Sequence, residues 1–433
     1  MAASAAAETS PEDKKRLKKV VGAGMIGNAL EWYDFALYGH FAAILSQLYF
    51  HSDNPMTSLL ATYGAFAAGF AMRPIGAVMF GWIGDRYGRK ISLAIAILLM
   101  AIPTACIGLL PTYAQIGILA PILLTLIRLL QGLSLGGEFS GSITFMVEHA
   151  GPKHRGLVGS ASMASLVIGM LAGSLVATAI TAALSEEDLL SWGWRIPFIF
   201  GIVIGVVGFY IRHHTEESPS YVEAKENNQL SDAPLKEAWK LQKKELFQGV
   251  GLYLTVTVPF YTFSVFMITY LTKMEGHALS FALLLNSVGM TVTLATLVIG
   301  AWLSDKYGRN TVLGGGALAF LLLIYPLFLA ITSGNIALLW LGILGFGAIL
   351  GIYIGPMPAV LVELFPARVR FTGMAVSYNV AAALFGGTAP MVCTWLIDRT
   401  GNHSVIAFYV MLCAIISLIT LRWVRDRYAE DID

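Results

Sequence analysis

The chain has 433 residues, 56% hydrophobic and 13% charged, with a mean hydropathy of +0.70 and a formal net charge of +1. So little charge cannot cover the surface of a water-soluble protein of this length, and a near-zero net charge gives no field that recruits nucleic acid. Cys106, Cys393 and Cys413 stand in apolar runs, spaced for neither a disulfide framework nor a metal site, so no metal and no cofactor is expected.

The first residues, 1–19, lack the apolar core of a signal peptide and end in a basic cluster, Lys14 to Lys19, so they read as a cytoplasmic tail. A helix needs about 20 apolar residues to cross about 30 Å of hydrocarbon. The first such run is 20–48. Asn28, Glu31, Asp34 and Tyr38 share one face of it, with the two acids about 16–21 Å from its start. The second run, 57–83, carries Arg73 about 15 Å above its end. The loop GWIGDRYGRK follows, with Asp85, Arg86, Gly88 and Arg89. The third run is 91–111. The fourth, 118–148, holds Arg128, Gln131 and Glu138, with Gly132, Gly136 and Gly137 beside them for close helix approach. Runs at 156–184 and 193–212 complete a first six-helix bundle, 20–212.

A hydrophilic segment, 213–245, reads as a cytoplasmic middle loop. Runs at 246–272, 279–303, 311–332, 335–362, 370–397 and 404–424 form a second bundle, 246–424, with a tail at 425–433. The loop AWLSDKYGRN, with Asp305, Gly308 and Arg309, echoes the earlier loop. Glu363 and Arg370 repeat the seven-residue spacing of Glu148 and Arg155. Two echoes in register indicate a duplicated six-span unit and an all-α membrane protein of twelve helices in two pseudo-symmetric bundles. The glycines of the two loops allow a tight turn, and the Asp and Arg flank it, so these residues are gating candidates. Lys and Arg gather in the even-numbered connections and at both termini, which places that side in the cytoplasm.

An ionisable group at membrane depth is costly unless paired or hydrated, so such groups mark function. Glu31, Asp34, Arg73, Arg128 and Glu138 all fall in the first half, and no span of the second half has a charge at its middle. Two arginines can pair two carboxylates, which leaves one acid as a proton site. In the second half, hydroxyl- and amide-bearing Tyr261, Tyr378 and Asn379 are the substrate-contact candidates, with Arg73, Arg128 and Gln131 from the first half. Pro356, Pro358 and Pro390 are sites for bending.

GWIGDRYGRK and Arg128-Leu-Leu-Gln131-Gly132 resemble signature motifs of the major facilitator superfamily. Gly27-Asn28-Ala-Leu-Glu31-Trp32-Tyr33-Asp34-Phe35, Met72-Arg73-Pro74, Gln131 to Glu138 and Trp192-Gly193-Trp194-Arg195 are similar to its metabolite:proton symporter branch, which carries α-ketoglutarate, citrate, shikimate and proline/betaine. The resemblance runs from about Lys19 to Arg427. It implies import driven by the proton gradient, with coupling and binding charges at Glu31, Asp34, Arg73, Arg128 and Glu138. The second loop copy departs at Ala301 and Asn310. The chain stops soon after its last span, so osmosensing through a heptad-rich tail is not expected.

The expectation is a monomeric, multi-pass bacterial inner-membrane symporter for a small carboxylate-bearing solute, with protons and lipid as its other partners. A proton-driven exporter of the same fold is the alternative. No histidine cluster or nucleotide loop points to an enzyme. Two buried arginines suit a dicarboxylate or keto acid, and the aromatic residues equally suit a quaternary ammonium.

Overall fold

The computed structural model describes residues 11–87, 89–136, 143, 147, 154–213 and 242–430. Among them, helices group into twelve spans in two six-helix halves. The first span is Pro11–His40 continued by Ala42–Tyr49, and the second is Pro55–Ala71 continued by Arg73–Tyr87. Arg89–Leu109, Leu119–Ser134 and Arg155–Ala183 are the third to fifth, and Arg195–His213 is the sixth. The second half begins with Lys243–Tyr261, which runs through a π turn at Thr262–Phe266 into Met267–Lys273. Leu279–Tyr307 and Arg309–Ile331 follow, then Ile336–Ile354 with Met357–Leu364. The eleventh span is Ala367–Ala381, a π turn at Ala382–Gly386, and Ala389–Thr400; the twelfth is Val405–Leu421.

Boundaries follow local chemistry. The first helix is described from Pro11 and so takes in part of the expected tail, whose Glu-Asp-Lys-Lys-Arg run is compatible with helix. The tenth span breaks at Pro356 and the eleventh restarts with Pro390 in its first turn, as expected of residues that cannot donate a backbone hydrogen bond. Residues 214–241 of the middle loop lie outside the described residues, and helices reach into both its ends, to His213 and from Lys243. Among the described residues, six helices alone are long and apolar enough to cross a membrane. Five of these are spans seven to eleven. In the first and second spans the acids, Arg73 and the breaks at Phe41 and Met72 interrupt the apolar run.

Helix packing fixes where the buried charges point. The second and fourth spans touch backbone to backbone: a Cβ on Gly132 would stand 1.8 Å from the Gly69 carbonyl oxygen, and one on Gly76 1.9 Å from that of Leu133. Gly136 abuts the Arg73 carbonyl oxygen in the same seam, at 2.1 Å by the same measure. Gly137 lies outside the described residues. The fifth span packs along the first within its own half and along the eighth across the halves, and the second span packs against the eleventh, so the fifth–eighth and second–eleventh contacts are seams between the halves.

Candidate functional site

A small cavity lies between the halves. Trp32 of the first span meets Tyr253, Thr257, Phe260 and Tyr261 of the seventh and Tyr378 of the eleventh. Three of its ring pairs stand nearly at right angles, Phe260 to Trp32 at 90°, Phe260 to Tyr261 at 90° and Tyr253 to Tyr378 at 87°, while Trp32 and Tyr261 are stacked at 27°. None of the residues lining it is charged. Tyr261 and Tyr378 were candidates from sequence; Trp32, Tyr253 and Thr257 were not. Tyr253, Thr257 and Tyr261 recur every four residues, on one helical face, and that periodicity was the available signal. The Thr257 hydroxyl is buried without a hydrogen-bond partner, and a Cβ on Gly386 would come within 2.1 Å of it.

Arg73 sits immediately behind this cavity and is fully buried. It reaches from the first half to the second, donating from Nη2 to Tyr378 Oη at 2.5 Å and from Nε to Asn379 Oδ1 at 3.3 Å. Its guanidinium carbon lies 4.8 Å from the Tyr378 ring centre, 5.2 Å from that of Phe70 and 5.9 Å from that of Trp32. Nη1 has no hydrogen-bond partner. Asn379 also donates to the Gly136 carbonyl oxygen, at 3.4 Å, which ties the eleventh span to the fourth.

Arg128 differs from the expectation. Among the described residues it pairs with no carboxylate. Its Nη1 donates to Gln131 Oε1 at 2.7 Å, and Gln131 in turn donates to Thr104 Oγ1 at 2.7 Å. The rings of Tyr38, Phe35 and Phe66 surround its guanidinium at 4.4, 4.6 and 5.2 Å. A side-chain amide three residues on and three ring faces stabilise the cation in place of an acid, while Nε and Nη2 have no hydrogen-bond partner. Arg128 and Gln131 therefore lie within the first half and are not among the cavity-lining residues.

The acids of the first span also point into that half. Glu31 accepts from Ser134 Oγ at 3.3 Å. Asp34 is 2% exposed, its Oδ1 has no hydrogen-bond partner, and it faces Gly201 of the sixth span: a Cβ there would stand 2.8 Å from Oδ1. The same Cβ would lie 3.0 Å from the Thr104 methyl. Asn28 ties the first span to the fifth through Ser165 Oγ, at 2.7 Å, and the Ser162 carbonyl oxygen, at 3.2 Å. Glu138 lies outside the described residues. Among the described residues, none of these charges is in the lining of the cavity itself. Arg73 backs the cavity, while Asp34 and Arg128 occupy the core of the first half.

The halves touch at both ends. At the end that holds the eighth–ninth connection, Asp305 accepts from the backbone N–H of Gly156 and of Leu157, both at 2.8 Å, and so caps the fifth span from the other half. Arg309 holds Asp305 at 2.6 Å and Glu363 at 3.0 Å, and Gly308 turns the chain at φ +96°. The segment after the twelfth helix docks here too: Asn310 donates its backbone N–H to Asp426 and its amide to the Val424 carbonyl oxygen, and Arg155 donates to the Glu430 carbonyl oxygen. At the opposite end Tyr63 donates to Thr269 at 2.7 Å, across the halves. Asp85 and Arg86 close the helix of the second span and Arg89 opens the third; their side chains, and Gly88, lie outside the described residues.

Asp305→Asn keeps the size of the side chain and removes its charge and one of its two acceptor oxygens. Losing one charged partner at a helix N-terminus shifts the closed–open balance by about 1 kcal/mol, roughly fivefold. Thiol labelling of a cysteine placed in this seam is expected to speed up by about that factor, with solute affinity within about twofold of wild type. A tenfold loss of affinity with unchanged labelling would contradict this role for Asp305.

Comparison with known proteins adds three findings. A family model described as Major Facilitator Superfamily matches residues 24–390. Among curated proteins, the chain is 36% identical over 423 residues to a glycine betaine/proline/ectoine/pipecolic acid transporter of Dickeya dadantii, covering 96% of this chain and 84% of that protein. It is 34% identical over 417 residues to a proline/betaine transporter of Salmonella typhimurium, covering 94% and 83%. Among solved structures, an inward-open, partially occluded xylose transporter of E. coli aligns with a TM-score of 0.77 at 19% identity, covering 96% of this chain and 100% of that one. At that identity the likeness speaks to the fold.

Proposed function

The chain belongs to the major facilitator superfamily, as a multi-pass membrane transporter and not an enzyme, and from that premise we propose that it is a proton-coupled symporter importing a small zwitterion of the proline/betaine type. The observation that carries this reading is Arg73: one buried guanidinium, bridging the two halves, with Nη1 unpartnered, behind a cavity walled by aromatic rings. One cation serves one carboxylate, here through Nη1, because Nε and Nη2 already hold Asn379 and Tyr378. The second arginine, Arg128, donates from Nη1 to Gln131 inside the first half, with Nε and Nη2 unpartnered; among the described residues, Arg73 is the cation hydrogen-bonded to a residue that lines the cavity. The relatives named for proline and betaine transport support the same choice.

Proton binding falls to the acids of the first half, with Asp34 the leading residue and Glu31 and Glu138 its neighbours in role. Solute and proton then sit apart, in the cavity and in the helical core beside it, and couple through the closure that Arg73 bridges. The basic loops support an orientation with both termini in the cytoplasm of a bacterial inner membrane. One chain closes the cavity, so a monomer suffices.

An exporter of this fold running antiport makes the opposite proton movement. In de-energised vesicles containing the full chain, adding glycine betaine or proline outside should acidify the lumen. Alkalinisation on addition would replace symport with antiport.

A further inference from the structure

Resting on the zwitterion reading, we propose that the cavity selects its solute by the number of methyl groups on nitrogen, with Trp32, Tyr253, Phe260 and Tyr261 as the cation box and Arg73 with Tyr378 as the carboxylate anchor. In the box, Phe260 stands at 90° to both Trp32 and Tyr261, which lie nearly parallel to each other at 27°, and among the described residues its lining holds no acid. A quaternary ammonium spreads its charge over methyl groups and has no N–H to satisfy, so ring faces are enough for it. A primary or secondary ammonium brings two or three N–H donors into the same space. Leaving such donors unpaired in a buried site is costly. The Thr257 hydroxyl is a buried acceptor without a partner, and it serves one donor.

The anchor adds a second requirement. In this structure the faces of Trp32 and Tyr378 already carry the Arg73 charge, at 5.9 and 4.8 Å. A carboxylate that engages Nη1 neutralises Arg73 and releases those faces to the solute's own cation. A cation without a carboxylate meets the Arg73 charge unrelieved. The same geometry therefore favours glycine betaine over proline, whose ammonium keeps two N–H groups, and excludes choline.

The test is counterflow of labelled glycine betaine in proteoliposomes holding the full chain, with unlabelled glycine, sarcosine, dimethylglycine, glycine betaine, proline and choline as competitors. Inhibition should strengthen at each methyl, by roughly tenfold or more from glycine to glycine betaine. Proline should compete about as sarcosine does, and choline should not compete. Trp32→Leu should flatten the series and Trp32→Phe should keep it; the wild-type series decides the question if either variant fails to fold. A flat wild-type series, or proline competing better than glycine betaine, overturns selection by methylation and leaves zwitterion symport standing. Citrate or α-ketoglutarate exchanging while glycine betaine shows no counterflow overturns the function reading, and this inference with it.

Discussion

Arg73→Lys is expected to lower solute affinity by about 100-fold while the protein still folds. The substitution keeps the charge and loses the fork. Arg73 holds Tyr378 and Asn379 of the opposite half through two different nitrogens and leaves a third for the solute. A lysine offers a compact point charge, which cannot keep both cross-half bonds and also grip a carboxylate. Losing two charge-assisted hydrogen bonds, each about 1.5 kcal/mol or more, gives the expected factor. Solute binding by calorimetry or counterflow reads the affinity, and thermal unfolding in detergent checks the fold. Affinity within about threefold of wild type would remove Arg73 from the binding site.

Asp34→Asn is expected to abolish uphill accumulation and keep exchange. Asp34 is buried with Oδ1 unpartnered, seated against the bare backbone of Gly201 and beside Thr104. A lone carboxylate in such a place is costly in its charged form and is relieved by a proton. Asparagine fixes the neutral shape, so the conformational cycle runs with no proton to carry. Glu31→Gln should do less damage, because Glu31 has a polar neighbour, the Ser134 hydroxyl at 3.3 Å, whereas Asp34 Oδ1 has none. Labelled-solute accumulation under an imposed pH gradient, set beside counterflow in the same vesicles, separates the two behaviours. Normal accumulation by Asp34→Asn would move the proton site elsewhere, with Glu138 next.

Much of this architecture was written in the sequence because membrane crossing imposes it. Apolar run lengths, proline positions and the repeated loop gave the spans, the breaks at Pro356 and Pro390, and the two halves. Depth and polarity single out Arg73, Tyr261, Tyr378 and Asn379 in the sequence, and the structure brings these four together at or beside the cavity. Partner choice was the harder step. Helical spacing puts Glu31 and Asp34 in one sector and says nothing of which neighbouring span that sector meets. It meets the third, fourth and sixth, at Thr104, Ser134 and Gly201. Arg128 was matched to carboxylates because charge suggests charge, and the chain solvates it with Gln131 and three aromatic rings instead. Docking of the Asp426–Glu430 segment onto Asn310 and Arg155 joins residues far apart in the chain, and no local pattern announces it.

The central claim is that solute and proton occupy separate places, the cavity before Arg73 and the core around Asp34. Its most direct measurement is the proton-to-solute ratio, with lumenal pH and labelled solute recorded together in the same vesicles for wild type and Asp34→Asn. The account predicts proton entry with each wild-type uptake, and solute flux without proton entry in the variant, at solute affinity within about threefold of wild type. Proton entry that persists in Asp34→Asn, or solute affinity that collapses with it, would contradict the account.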